Sequence, residues 1–147
     1  MPFDPAIDRR IRDSFGRMQA MTLIGASVAE VRAGEVDIVL PFSQKLTQQH
    51  GFVHAGVIAT IIDTACGYAA LTLMPMDAAV LTTEFKLHLL SPAKGERFIA
   101  AGRVVRPGRK LMVCIGEVFA EEGTSRKQIA LMTASMMVVD TGTGLRD

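Results

Sequence analysis

His50-Gly51-Phe52-Val53-His54-Ala55-Gly56-Val57-Ile58-Ala59-Thr60-Ile61-Ile62-Asp63-Thr64-Ala65-Cys66-Gly67 is the stretch on which the fold turns. It reads as a glycine-containing turn opening a helix so apolar that one carboxylate, Asp63, stands nearly alone inside it. An ionised carboxylate on such a surface loses hydration at a cost that partners must compensate. A costly charge close behind a helix N-terminus is therefore the first place to look for chemistry.

The pattern predicts a helix from about Ala55 to Met74, stopped by Pro75. Its apolar positions run nearly all the way round, the mark of a helix enclosed by other structure. Ala59, Ala65, Gly67, Ala69 and Ala70 keep it thin, so that a sheet can wrap it closely. Upstream, Ile7, Ile11, Phe15 and Met18 recur at helical spacing, and Asp4-Pro5 supplies an N-cap and a first-turn proline. This predicts an N-terminal helix over about 4–21. Leu23 to Arg32 reads as a strand, Ala33-Gly34 as a turn, and Val36, Ile38 and Leu40 alternate with polar residues up to Pro41. A polar loop from Phe42 to His50 follows.

Downstream, Val80 to Leu90 alternates, with Leu81, Phe85, Leu87 and Leu89 on one face and Thr82, Glu84, Lys86 and His88 on the other. Phe98 to Arg106, Leu111 to Ala120 and Ile129 to Val139 are further strands, separated by Pro107-Gly108 and by 121–124. Hairpin-like links imply an antiparallel sheet whose core partner is the lone apolar helix. The expectation is a single α+β domain over 1–147, a curved antiparallel sheet wrapped around one central helix.

Composition narrows the function. At 147 residues and a net charge of +1, with acids and bases interspersed, the chain carries no nucleic-acid footprint. Cys66 and Cys114 lie far apart in apolar runs and read as reduced core thiols. No signal-peptide pattern opens the chain, and Asp63, Thr64 and Tyr68 interrupt its longest apolar run. A cytoplasmic protein without a membrane span is expected. Nine methionines and a hydrophobic fraction of 49% suit a subunit that hides extra surface in an oligomer.

For Asp63 two readings stay open: a structural carboxylate neutralised by an arginine or aimed at solvent, or a general base or nucleophile. His54 reads as a capping group or an acid. His50 and His54 have metal-ligand spacing, but no third ligand sits nearby in sequence, so no metal is expected. The amides of Ala55 and Gly56 open the helix, where free N–H groups and the macrodipole favour a developing oxyanion. Gln48 and Gln49 are either loop polarity or amide donors. Thr82 is either an ordinary strand residue or a hydroxyl that orients water beside Asp63. Arg106, Arg109 and Lys110 are either a solvated hairpin edge or a phosphate clamp.

The order Gly51-Phe-Val-His54-Ala-Gly56, followed seven residues later by Asp63-Thr-Ala, resembles the hotdog-fold acyl-CoA thioesterases of the phenylacetate-pathway type. Their pattern runs approximately Asn-x-x-Gly-x-x-His-Gly-Gly, then an aspartate on the central helix. Leu90-Ser91-Pro92-Ala93 and Val104-Val105-Arg106-Pro-Gly-Arg109 are similar to this family's strand ends. The resemblance covers nearly the whole chain beyond the N-terminal helix. It departs at two places: Ala55 replaces the first glycine of His-Gly-Gly, and Gln48 replaces the asparagine with one more methylene.

The resemblance implies a hotdog fold, subunits joined edge to edge into homodimers and often homotetramers, and active sites at the dimer interface. It implies that Asp63 activates water or attacks the thioester carbonyl opposite the helix start of the other subunit. By the same likeness Ala55 supplies the oxyanion amide, with Gly56 adjoining, and Thr82 positions water. Arg106, Arg109 and Lys110 would hold coenzyme A phosphates. The expected activity is hydrolysis of medium- or long-chain or aryl acyl-CoA, with no cofactor. The alternatives are a non-catalytic acyl-CoA-binding protein and an acyl-thioester hydratase or dehydratase. Sensors of the first kind carry an attached DNA-binding domain, for which this chain has no room.

Overall fold

Asp4 begins the first helix as the sequence requires: its Oδ1 accepts from the Ala6 amide at 2.8 Å, and Pro5 occupies the first turn. The computed structural model describes residues 3–147. Helix α1 spans Pro5–Arg17 and buries Ile11 and Phe15. The single N-terminal helix expected through Met21 is broken at Met18, whose backbone is extended (φ −79°, ψ 99°). A second short helix, α2, covers Gln19–Ile24 and ends on Gly25 in the left-handed region at φ 82°. The strand expected from Leu23 therefore starts only after that cap.

The strands are β1 (Ser27–Arg32), β2 (Glu35–Pro41), β3 (Ala79–Leu89), β4 (Arg97–Arg106), β5 (Leu111–Glu122) and β6 (Ser125–Val139). They form one antiparallel sheet in the order β1-β2-β4-β5-β6-β3. The long helix α3 spans Ala55–Leu71, shorter at its end than expected because Thr72 caps it before Pro75 is reached. It packs against β2, β3, β4, β5 and β6, so the curved sheet wraps one apolar helix as the α+β reading requires.

Close approach is shared by helix and sheet. A Cβ on Gly102 would stand 2.3 Å from the Ala65 carbonyl carbon, so β4 tolerates only glycine where α3 crosses it. Gly116 does the same on β5 beneath Ile62 and Cys66. Buried Arg10 closes the other end of the helix, donating to the carbonyls of Leu71, Met74 and Ala78 at 3.4, 3.3 and 2.5 Å. Leu71 O is one of the carbonyls that a helix C-terminus leaves without an intrahelical partner.

Two β-bulges decide which way site residues face. In the β3–β6 pairing Thr82 lies opposite Met136 while Glu84 lies opposite Ser135, leaving Thr83 as an extra residue. The clean alternation expected for this strand is inverted there: Thr82 turns to the helix side and Leu81 to the outer side. In the β5–β6 pairing Val118 lies opposite Ala130 but Phe119 lies opposite Gln128, leaving Ile129 as the extra residue. Strand β3 is an edge of the sheet, and its apolar residues are not covered by this chain. Phe85 is 47% and Leu89 53% exposed.

Candidate active site

The turn before α3 is built by Gln48. Its Oε1 accepts from the amides of His50 (2.5 Å) and Phe52 (3.3 Å), and its own amide donates to Phe52 O at 2.8 Å. Gly51 turns the chain at φ 87°. Val53 N then donates to Ala93 O (3.0 Å) and His54 N to Leu46 O (2.9 Å), which fixes where the helix starts. His54 is the N-cap: its Nδ1 accepts from Gly56 N at 2.8 Å. That bond occupies the Gly56 amide and puts the ring in the tautomer protonated at Nε2. Among the described residues the Ala55 N–H has no partner, so of the two amides only this one is free for an incoming oxygen.

A cleft of about 580 Å³ opens at this helix start. Gln48, Gln49 and Ala55 lie on its wall, with Phe52, Ile58 and Leu90 among the apolar residues around them. A carbonyl bound here meets a free amide at the positive end of a helix, the arrangement that stabilises a tetrahedral oxyanion.

Asp63 stands apart from this cleft. It is half-buried, and Thr82 Oγ1 donates to its Oδ1 at 2.8 Å. Burial pushes its pKa above the ordinary carboxylate range, and the Thr82 hydrogen bond pulls it part of the way back. The carboxylate borders a hollow of about 120 Å³ shared with Thr82, Gly67, Tyr68 and Asp147. No arginine neutralises it: the five ion pairs among the described residues all lie elsewhere.

Asp63 and Ala55 are eight residues apart on one helix, about 12 Å along its axis at 1.5 Å per residue. One chain therefore cannot bring its own carboxylate and its own free amide onto one carbonyl. Arg106, Arg109 and Lys110 are also remote from the cleft. Arg106 faces Val113, five residues along β5 from Val118, whose partner Ala130 adjoins the cleft residue Ile129, on the order of 17 Å, and the turn it begins is beside the C-terminal end of α3. There Val104 N donates to Gly34 O, and Gly34 N donates to Thr72 Oγ1.

Sequence reasoning did not single out Tyr68, Ser14 or Asp147. Tyr68 and Asp147 line the hollow behind Asp63; Ser14 Oγ stands 3.0 Å from Tyr68 OH, and Asp147 accepts from Val80 N at 2.6 Å. Its members come from α1, α3, β3 and the C-terminal segment, and no local spacing announces them. Cys66 and Cys114 are buried free thiols, with burial pushing that of Cys114 up to about 12. No helix among the described residues is long and apolar enough to cross a membrane, and no three potential metal ligands gather.

A six-stranded antiparallel sheet curved around one apolar helix is the hotdog fold. The thioesterase superfamily profile matches residues 50–127, and the chain belongs to that family. It is similar to a thioesterase family protein from Silicibacter pomeroyi, with 45% identity, a TM-score of 0.89, and 91% of this chain and 98% of that one covered. The Escherichia coli PaaI protein of the phenylacetic acid degradation operon shares the fold (TM-score 0.84, 15% identity, 94% and 96% covered). A Halobacterium salinarum protein named as a candidate esterase is 38% identical over 93 residues. That match takes in 60% of this chain and 61% of the relative.

Proposed function

We propose that the protein hydrolyses acyl-coenzyme A, converting R–CO–S–CoA and water into R–COOH and HS–CoA, at sites shared between two copies of the chain. The observation that carries this reading is the pair of half-sites on one helix: a carboxylate held by Thr82, and a free Ala55 amide facing an apolar cleft. They lie too far apart to serve one carbonyl within a single chain.

In the proposed reaction the thioester carbonyl sits at the helix start of one copy, its oxygen on the Ala55 N–H. The Asp63 carboxylate of the other copy takes a proton from water as it attacks, or attacks the carbonyl carbon itself to give a mixed anhydride that water then hydrolyses to the acid and the free carboxylate. The tetrahedral oxyanion is held by the amide, and collapse expels the thiolate, a good leaving group. No cofactor is needed for this route, since the thioester is already activated and the chain supplies position and charge. The side-chain Nε2 of Gln48 has no partner among the described residues, and from the cleft wall it can donate to the same carbonyl. His54 acts through the helix cap it makes.

The subunit contact follows from the edge strand. An 11-residue strand with one unpaired side and exposed Phe85 and Leu89 is a template for a second copy. Pairing there sets the Thr82 region of one chain against the other chain. A cross-strand row of Leu81, Met137 and Leu111 on the outer face, 46%, 38% and 47% exposed, suits a further pairing to a tetramer. Arg106, Arg109 and Lys110 could add to phosphate binding only from another copy. The apolar cleft suits aryl or medium to long acyl groups, and the reduced core thiols suit the cytoplasm.

The test is thiol release from acyl-CoA esters ranging from acetyl to palmitoyl and phenylacetyl, with Asp63→Asn as control. Asp63-dependent release is expected. Tight binding with no release would favour a binding protein, and loss of enoyl absorbance from an added 2-enoyl-CoA without thiol release would favour a hydratase.

A further inference from the structure

Among the described residues Gly34, Gly67, Gly102 and Gly116 are buried, and they differ in what surrounds them. A Cβ on Gly34 would meet Leu73 at 3.5 Å, and on Gly102 and Gly116 it would come within 2.3 and 2.6 Å of α3. On Gly67 it would meet nothing within 4 Å. Close packing therefore accounts for the other three glycines and not for this one. Glycine inside a helix costs stability relative to alanine, because it gives up more backbone freedom on folding. Gly67 carries that cost in the interior of a 17-residue helix, beside open space.

The space belongs to the hollow of about 120 Å³ behind Asp63, whose other walls include Met18, Tyr68 and Val80. Those walls are held by contacts of their own. The Tyr68 ring lies 6.0 Å from that of Phe15, and its hydroxyl is 3.0 Å from Ser14 Oγ. Met18, at the break between α1 and α2, donates its N–H to Phe15 O at 3.0 Å and accepts from Met21 N at 3.1 Å. Val80 N donates to Asp147 Oδ2 at 2.6 Å and Ser14 Oγ to Asp147 Oδ1 at 3.5 Å, so the second carboxylate of the hollow is partnered. Closing the hollow would break these contacts.

A space of this size is on the scale of one aromatic ring, since cavities of roughly 150 Å³ bind benzene. Asp63 and Gly67 are one turn apart, about 6 Å along the helix. An acetyl group on a carbonyl at Asp63 is too short to cover that distance, whereas a phenylacetyl or hexanoyl group spans it.

We infer that Gly67 sets which acyl groups the protein accepts, by leaving room behind the carboxylate for the far end of an aryl or medium-length acyl group. This rests on the thioesterase reading above and assigns the acyl end of that substrate. The Ala55 amide of one copy holds the carbonyl, and the near part of the acyl group shares that copy's cleft. Its far end lies over Gly67 of the copy that supplies Asp63.

The test is binding of ketone analogues R–CO–CH2–S–CoA, which have no thioester to hydrolyse, by calorimetry to the full chain. Wild type should bind the analogue with R = benzyl more tightly than that with R = methyl. Gly67→Val should weaken the benzyl analogue about a hundredfold and Gly67→Ala about tenfold, with the methyl analogue held within about threefold in both. Gly67→Ala should also raise Tm, since alanine suits the helix and its methyl group meets open space.

Any of four results overturns the assignment: no benzyl preference in wild type, unchanged binding in Gly67→Val, equal losses for the two analogues, or a lower Tm for Gly67→Ala. Equal losses accompanied by dissociation of the subunits would mean that the partner copy, and not the acyl group, fills the hollow. Thiol release from phenylacetyl-CoA by wild type and Gly67→Val, measured in parallel, separates this assignment from the hydrolase reading. Gly67-dependent binding without release keeps the acyl site and removes the hydrolase. Release that ignores Gly67 removes only the acyl site.

Discussion

Thr82 Oγ1 reaches Asp63 Oδ1 at 2.8 Å only because Thr83 is an extra residue in β3. Without the bulge, Leu81 rather than Thr82 would face the helix, and the half-buried carboxylate would lose the one side-chain donor that favours its charged form. The hydrogen bonding and the ionisation of Asp63 therefore depend on a backbone irregularity in a neighbouring strand.

Thr82→Val removes that donor while keeping the shape. The Asp63 pKa then rises further, since burial acts unopposed. A base must be ionised, so the acid limb of the kcat/KM profile should move to higher pH, with activity on that limb falling about fivefold. An unshifted profile would detach Thr82 from the carboxylate's ionisation.

Asp63→Asn should stabilise the fold at neutral pH. With its pKa raised on folding, Asp63 binds more protons in the folded state than in the unfolded chain. Stability accordingly falls as pH climbs from the unfolded value, near ~3.9, through the folded one. The amide has no such loss. Tm of the variant should exceed that of wild type above this window and match it below. The same variant is expected to be inactive, so stability and turnover should move in opposite directions. A Tm difference that does not vary with pH would contradict the raised pKa.

His54 caps the helix start, its Nδ1 accepting from Gly56 N. Asparagine at an N-cap also accepts from the first-turn amides, whereas alanine cannot. His54→Ala should cost about 1 kcal/mol in denaturant unfolding and lower turnover with it. His54→Asn should keep most of both. An inactive, fully stable Asn variant would give the imidazole a chemical role.

The central helix was legible because apolar residues run nearly all the way round Val57–Leu73 before Pro75 stops them, and antiparallel strands followed from turn residues such as Pro107-Gly108. The break at Met18 was not, since Met18, Gln19 and Met21 are all acceptable helix residues and tertiary packing decides. The bulges at Thr83 and Ile129 were illegible because strand reading assumes a period of two, and an extra residue leaves no compositional mark. That made Thr82 look like a residue of the polar face. Gly102 and Gly116 were visible letters, but their fit against Ala65, Cys66 and Ile62 exists only in three dimensions. The cations at Arg106, Arg109 and Lys110 stood out by clustering, but their distance from the helix start exists only in the fold.

The shared site can be tested by subunit complementation. Ala55→Pro removes the oxyanion N–H at a position where proline suits a helix, and His54 is already extended (φ −59°, ψ 138°), as a residue before proline must be. Ala55→Pro and Asp63→Asn should each abolish thiol release alone. Mixed in equal amounts under conditions that exchange subunits, they should recover about a quarter of wild-type activity, because half the dimers are mixed and each mixed dimer has one intact site. No recovery, with mixed dimers demonstrated, would mean that carboxylate and amide do not act across the interface.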